Sequence, residues 1–381
     1  MKKIAIIGAS YLQEPLIQKA KSRGLETHVF AWAAGDIGEK SADHFYPISV
    51  IEKEKILEKC GQIGIDGICS IASDVASITV NYVAEKLGLT GNSMECTTIS
   101  TNKHLMRRCF EKNGDPSPRS IQVSADEEID TTGLKYPLIV KPVDRSGSRG
   151  VTRVNDPSAL ASAVKRAFDA GFEKSAVIEE YVTGQEYSVE YISWEGEHHF
   201  LALTKKYTTG APGFIETAHL EPAPVDEDLL CRIKKVVSHA LNSLGIRYGA
   251  SHSEVKISDS GDIVIIEIGG RMGGDNIGSS LVELSTGYDY LGAVIDVCLG
   301  KAPSFETQKK GFAGIRFVFS EEDKDVLERI KIEAPGMIIE EDVHEIGSEA
   351  VTDSSTRFGF YTIYSDNLYD VQRFMPVDSD R

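Results

Sequence analysis

Hydrophobic and polar positions along the chain fall into two textures. In the first stretch, Ile4-Ala5-Ile6-Ile7 is an unbroken apolar run closed by Gly8, as in a strand covered on both faces of a parallel sheet. Helical periodicity follows over 12–23 and stops at Gly24, and the next apolar run, 27–32, reads as a second strand. A helix over 51–60, a third strand over 65–72 and a helix over 75–87 ended by Gly88 complete the alternation. Strand and helix taking turns in this way predicts a small α/β unit with a parallel sheet over residues 1–97.

The second texture follows a helix at 101–112, which Asn113-Gly114-Asp115-Pro116 terminates. Strand-like runs at 137–140, 176–182, 187–193 and 200–205 come with one clear helix, 157–170, so residues 98–305 have α+β character. Within them 208–224, with its Gly and Pro, reads as a long loop, 226–244 as a helix and 250–268 as a hairpin. A Gly-rich turn then leads into what reads as one apolar helix, 276–299. Short strands past residue 311, such as 315–319 and 358–364, predict a third, small β-rich domain over 306–381.

The hairpin carries the first chemistry. Ser253-Glu254-Val255-Lys256-Ile257 and Ile263-Val264-Ile265-Ile266-Glu267-Ile268 flank the turn sequence Ser258-Asp259-Ser260-Gly261-Asp262. A turn centred on Ser260-Gly261 sets Glu254 opposite Glu267, with Cβ atoms roughly 4.5–5.5 Å apart. At about 5 Å and an effective dielectric near 20, two carboxylates repel by roughly 3 kcal/mol, a large share of a typical stability of about 5–15 kcal/mol. A hard divalent cation such as Mg²⁺ between them turns the repulsion into a binding site. A shared proton, a slipped register, or an edge pair splayed into water are the other outcomes. The segment after Glu267 adds Gly269, Gly270, Arg271, Gly273, Gly274 and Asp275. Glycines admit a ligand close to the backbone, and the arginine fork suits carboxylate or phosphate; a Gly-rich turn with a surface arginine is the plainer alternative.

Upstream, Lys141 ends the buried strand at 137–140, and Asp144-Arg145-Ser146-Gly147-Ser148-Arg149-Gly150 follows it. Small residues there either turn N–H groups inward as an anion nest or form an ordinary loop. G-x-x-x-x-G-K-[ST] is absent, so this is no Walker A loop. Gly8-Ala9-Ser10 lacks G-x-G-x-x-G, which argues against a nicotinamide Rossmann site.

Composition works by exclusion. A net charge of −17 repels nucleic acid and anionic membranes on average, without forbidding a local basic pocket. The six cysteines form no C-x-x-C pair and read as reduced thiols. No signal-peptide core and no run near the roughly 20 apolar residues of a membrane span is found, so the expected setting is soluble and cytoplasmic.

Taken in order, these pieces resemble the ATP-grasp superfamily over most of residues 1–300. The resemblance implies an ATP-grasp fold, α/β plus α+β: a Rossmann-like N-terminal α/β domain (1–97), a two-subdomain ATP-binding region (98–305, its lid subdomain about 115–183) and a small β-rich C-terminal domain (306–381). It implies ATP and Mg²⁺ (or Mn²⁺) as cofactors. Lys103 and Lys141 would hold the phosphates, with the loop of Ser146, Gly147, Ser148 and Gly150 folded over them. Glu179 and the backbone at Val182 would read adenine. Glu186, at the end of an E-x-x-x-x-G-x-E pattern running from Glu179, would bond the ribose hydroxyls. Glu254 and Glu267 would hold the metal. Many members carry Asn two residues after the second glutamate; here Gly269 stands there, so the second metal position is either vacant or filled by water.

A narrower likeness is to the bacterial L-amino-acid ligases. Phe214-Ile215-Glu216-Thr217-Ala218-His219-Leu220-Glu221-Pro222 is similar to their Phe-x-Glu-Thr-x-His-x-x-Pro loop, and Arg271 to the arginine of their Gly-rich turn. Gly314-Ile315-Arg316-Phe317 with Arg357-Phe358-Gly359 resembles their last domain. The likeness implies an ADP-forming carboxylate–amine ligase that works through an acyl phosphate and joins an amino acid to an amine or a second amino acid. Arg271 would stabilise the oxyanion of the tetrahedral intermediate. Glu216 and His219 would orient the amine or accept its proton. Gly273, Gly274 and Asp275 would line the substrate pocket, with Asp275 receiving an ammonium group or else capping the following helix. The alternatives are a bicarbonate-phosphorylating carboxylase or carbamoyl-phosphate-type enzyme, an amino-acid-to-carrier-protein ligase, and a non-catalytic nucleotide-binding regulator. The expected partners are small-molecule carboxylates and amines, not nucleic acid or membrane; a carrier protein and a homodimer stay open.

Overall fold

Residues 1–125 and 127–377 are described by the computed structural model, and three sheets organise them. Lys3–Ile7 lies inside a parallel sheet, between Glu26–Phe30 and Gly67–Cys69, with His44–Tyr46 at the edge. Its unbroken apolar run is explained by cover on both faces. Ile4 and Ile6 pack with Leu16, Ile17 and Ile295, while Ala5 and Ile7 pack with Ile56 and Val83. Ile295 belongs to helix Tyr290–Cys298, so the far end of the central region seals one face of the N-terminal sheet.

A four-stranded antiparallel sheet follows, in the order Ser120–Ser124, Ser175–Glu180, Leu138–Pro142, Thr152–Val154. Helix Leu160–Ala170 turns Leu160, Ala163, Val164 and Ala167 onto it. The third sheet has eight antiparallel strands. It runs from Ile263–Gly269 and Gly249–Ile257 through Gln185–Trp194, Glu197–Thr208 and Glu216–Glu221 to Phe312–Phe317, Gly359–Ser365 and Ile338–Val343. A parallel α/β unit with two antiparallel sheets is the mixture that the ATP-grasp resemblance implies. Among the described residues no helix is long and apolar enough to cross a membrane.

Four expectations need correction. The stretch 208–224 is not all loop, because Glu216–Glu221 is a strand. Its buried polar residues, His219 and Glu221, hid the alternation that marks a strand. That strand pairs with Phe312–Phe317, so the C-terminal segment builds no sheet of its own and continues the large one. The apolar stretch 276–299 is not one helix. A π turn at Ile277–Leu281 runs into Val282–Thr286, Gly287 leaves helical geometry at φ +68°, and Asp289 caps Tyr290–Cys298 by accepting from the Gly292 N–H. Asp275 is not a helix cap either, since Asn276 holds the residue position before the π turn.

The hairpin reaches its pairing by an unforeseen route. Glu254 does face Glu267. Next to the turn, however, Ile257 pairs with Ile263 and Val255 with Ile265, a register that by itself would set Glu254 against Ile266. A β-bulge beside Glu254 absorbs Ile266 and restores the facing pair. The bulged carbonyl of Ile266 accepts from Arg107 Nη2 at 2.6 Å.

Candidate active site

A cavity of about 160 Å³ lies between the two antiparallel sheets. Lys141, Glu179 and Val182 wall it from the smaller sheet and its exit; Glu186, Glu254 and Glu267 wall it from the larger one; Ser146, Gly147 and Ser148 border it. Lys103 joins them because Asn102 caps helix Lys103–Asn113, accepting from the Leu105 N–H at 3.1 Å and fixing Lys103 in the first turn. Gly150 is not on the wall. A Cβ there would come 2.7 Å from the Ala170 Cβ, so this glycine lets the loop close onto helix Leu160–Ala170.

The facing glutamates are not left to repel each other. Lys206 Nζ sits 2.7 Å from Glu254 Oε1, and Lys103 Nζ sits 2.8 Å from Glu267 Oε1. Lys206 also reaches Glu186 at 2.8 Å and Glu216 at 3.5 Å, so one buried ammonium serves three carboxylates. Burial opposes its charge, but Glu186, Glu254 and Glu216 hold it protonated well above the usual lysine range. Burial likewise pushes Glu254 up, and Lys206 with His252 overrides it, leaving the carboxyl well below its ordinary range. Hard carboxylate oxygens on neighbouring strands, both on the cavity wall, fit a Mg²⁺ ion. Gly269 has its own explanation. A Cβ there would meet Asp74 Oδ1 at 3.0 Å and Arg271 Cζ at 3.1 Å, so an asparagine would crowd the pair that these two residues form and require it to shift.

Glu179 is engaged on both oxygens, by Lys141 at 2.6 Å and by Arg107 Nε at 3.0 Å. Burial raises this carboxyl, and the two cations more than offset it, holding it below the usual range. Burial pulls Lys141 down, with Glu179 opposing. The residues left on the wall beside this network are Glu180, Tyr181 and Val182.

The cavity opens into a wider cleft of about 830 Å³, with Arg145, Ser146, Gly147, Glu216, His252, Glu254 and Arg271 common to both. Arg271 grips Asp74 with two parallel bonds, Nε to Oδ1 at 2.8 Å and Nη2 to Oδ2 at 3.0 Å. Burial raises the Asp74 carboxyl, and Arg271 overrides it and holds it low. Asp275, with φ +51°, makes the matching fork to Arg357, at 2.5 and 3.1 Å. Arg357 lies over the Phe317 ring at 3.6 Å and donates to the Glu216 carbonyl at 3.3 Å. Ser354 donates to Glu216 Oε2 at 3.0 Å. His219 is fully buried on its strand, edge-on to Phe317, with Nε2 3.5 Å from Asp275 Oδ2. Gly274 lines the cleft, whereas the Gly273 N–H points at Glu190 at 3.3 Å.

Asp74, Arg107, Glu190, Lys206 and His252 were not among the candidate residues of the sequence, and Arg357 stood in a C-terminal motif without a role at the site. Glu190 is fully buried and bonds His252 Nδ1. His252 Nε2 lies 3.6 Å from Glu254. Burial works against the charged ring, but Glu190 and Glu254 push it up to about 9, so it is an imidazolium at neutral pH. The one signal available for Lys206 and His252 was a charged residue inside an apolar strand, which also describes many solvated edges.

Comparison with known proteins bears on this architecture. Residues 134–279 match the profile of the ATP-grasp domain. The alanine–anticapsin ligase of Bacillus subtilis (strain 168) is 28% identical over 273 residues, covering 65% of this chain and 57% of that protein. Across the alanine–anticapsin ligases it matches, the chain spans 57–63% of their length. The crystal structure of an L-amino acid ligase from Bacillus licheniformis superposes with a TM-score of 0.83 at 25% identity, over 98% of this chain and 96% of that one. The ADP-complexed N5-carboxyaminoimidazole synthetase of Staphylococcus aureus superposes with a TM-score of 0.78 at 19% identity, over 98% and 95% of the two chains, which shows the shared fold. Residues 134–279 thus carry an ATP-grasp domain, and the chain as a whole shares the fold of the L-amino acid ligase from Bacillus licheniformis.

Proposed function

We propose that the chain is an ATP-dependent, ADP-forming carboxylate–amine ligase that joins an amino acid to an amine or a second amino acid. One observation carries the reading: a lysine- and glutamate-lined cavity opens directly into a cleft framed by two arginine–aspartate forks, with Arg271, Glu216 and Glu254 at the junction. The names of the similar ligases, one for alanine and anticapsin and one for L-amino acids, support it.

ATP would lie in the cavity, its phosphates toward Lys103, Lys141 and the 145–148 loop, its adenine along Glu180 to Val182 and its ribose toward Glu186. Glu254 and Glu267 would hold Mg²⁺, which when bound neutralises phosphate oxygens. A substrate carboxylate held at the junction attacks the γ-phosphorus, giving an acyl phosphate and ADP; an amine then attacks the acyl carbon and phosphate leaves. Arg271, its charge secured by Asp74, faces the place where oxyanion charge develops. The Asp275–Arg357 fork offers a carboxylate to a substrate ammonium and a guanidinium to a substrate carboxylate, the two charged ends of an amino acid. His219 acts behind Asp275 as a positioning residue.

The test is a phosphate-release screen over amino-acid pairs, with product masses determined. ADP, phosphate and a condensed product are expected only when a carboxylate and an amine are both present. ADP formed with bicarbonate alone would move the reading to the carboxylating class, and silence across all pairs would favour a nucleotide-binding regulator.

A further inference from the structure

Far along the N-terminal parallel sheet, at residues that line neither cavity, three side chains converge. Glu26 and His28 stand two apart on strand Glu26–Phe30 and therefore project from one face. His44 opens the edge strand His44–Tyr46 and is the registered partner of His28. Glu26 Oε1 lies 3.2 Å from His28 Nε2 and 3.2 Å from His44 Nε2. The two imidazoles stack with centroids 4.8 Å apart and 16° between their planes. The three donor atoms all fall within 4.8 Å of one another.

Two observations point past a simple ion pair. The first concerns His28, which is 3% exposed. Its Nδ1 contacts the Tyr46 hydroxyl at 3.1 Å, while its Nε2 completes no hydrogen bond among the described residues. A proton on Nδ1, donated to Tyr46, leaves the Nε2 lone pair aimed into the cluster. That is how a second partner orients a ligating imidazole. Burial, and after it His44, pushes His28 below its ordinary range, which favours the neutral, ligating form; Glu26 opposes. Lys3, which also lowers it, turns its ammonium to the Ile63 carbonyl at 3.1 Å. The second observation is spacing. Zinc bonds of about 2.0–2.1 Å in a tetrahedron imply ligand–ligand edges of about 3.3–3.4 Å. Both N···O separations, at 3.2 Å, already match such edges.

We propose that Glu26, His28 and His44 form a binding site for a divalent transition metal of the zinc class, with water as the fourth ligand on the side of the half-exposed His44. Two imidazoles and one carboxylate favour such an ion over Mg²⁺. The ion would fasten the three-residue edge strand to its neighbour across only three registered pairs.

The test uses the full chain, stripped of metal and titrated with Co²⁺ in excess Mg²⁺. About one equivalent should bind with the intense visible absorption of a four-coordinate nitrogen–oxygen site, unlike the weak bands of a six-coordinate carboxylate site. Zinc retained through gel filtration should follow the same stoichiometry. His44→Ala and Glu26→Gln should abolish the band and weaken zinc retention by at least about tenfold, while Glu254→Gln keeps both. His44→Cys should recover zinc and add a thiolate charge-transfer band, which guards against loss of binding through misfolding. The site is refuted if the wild-type chain gives no such band, if the band survives His44→Ala, or if it disappears in Glu254→Gln.

Discussion

The two halves of the candidate active site are built from different cations. On the cavity side, Glu254 and Glu267 are answered by Lys206, which reaches Glu254 from the cleft wall, and by Lys103. On the cleft side, Asp74 and Asp275 are gripped by Arg271 and Arg357. An ammonium is a compact charge on a flexible stem, and it can exchange a carboxylate for a phosphate with little loss. A guanidinium fork is planar and fixed by two bonds at once. The cavity is therefore a set of exchangeable charges suited to a polyanion and its cation. The cleft is a frame whose geometry is set before a substrate arrives.

The largest expected effect breaks the exchangeable side. Lys206→Met leaves Glu186, Glu216 and Glu254 without their common cation and should cost about 3–5 kcal/mol in denaturant unfolding, as for a buried ion pair losing one partner. Added Mg²⁺ should recover part of that loss, and a Mg²⁺-independent deficit would count against exchange. Next, Arg271→Lys keeps the charge and removes the fork. It should lower kcat by about 10²–10³ while leaving ATP affinity within about twofold; wild-type turnover would remove Arg271 from the chemistry.

A control tests the buried electrostatics away from both sides. Burial pushes Glu221 up to about 7, against hydrogen bonds from Thr204 and Ser285. A carboxyl with a raised folded pKa gives stability that is whole below its unfolded value and is lost as pH rises through the folded one. Glu221→Gln should therefore be more stable than wild type by up to about 3 kcal/mol at pH 8, the gap closing toward about pH 4. Thermal unfolding at the two pH values reads the sign directly. The smallest effect belongs to the frame: Arg357→Lys should raise KM for the amino-acid substrate about tenfold, near 1.4 kcal/mol, with KM for ATP unmoved.

The same contrast governs what the sequence could reveal. The alternation of the first 97 residues was readable because apolar runs and glycine stops are local signals. The acidic hairpin was readable for a similar reason, and so was the segment from Glu179 to Glu186. The frame was not, since its forks join residues 197 and 82 positions apart, and no periodicity links them. Lys206 escaped notice because burial, which makes it significant, depends on three strands folding around it. The strand Glu216–Glu221 carries no local strand signal, because its buried positions include a histidine and a glutamate whose partners come from elsewhere.

The bulge at Ile266 sets the phase of the hairpin. Side chains alternate faces with a period of two, so the register of the turn alone would send Glu254 and Glu267 to opposite sides of the sheet. One surplus residue shifts the phase by half a cycle and brings both carboxylates to the cavity. The site and the turn thus keep separate counts along one ribbon. The strand Gly249–Ile257 is also held in register on its other edge by Gln185–Trp194. A turn at 258–262 could therefore change in length or composition, re-pairing only its own end, and the carboxylates would stay in step.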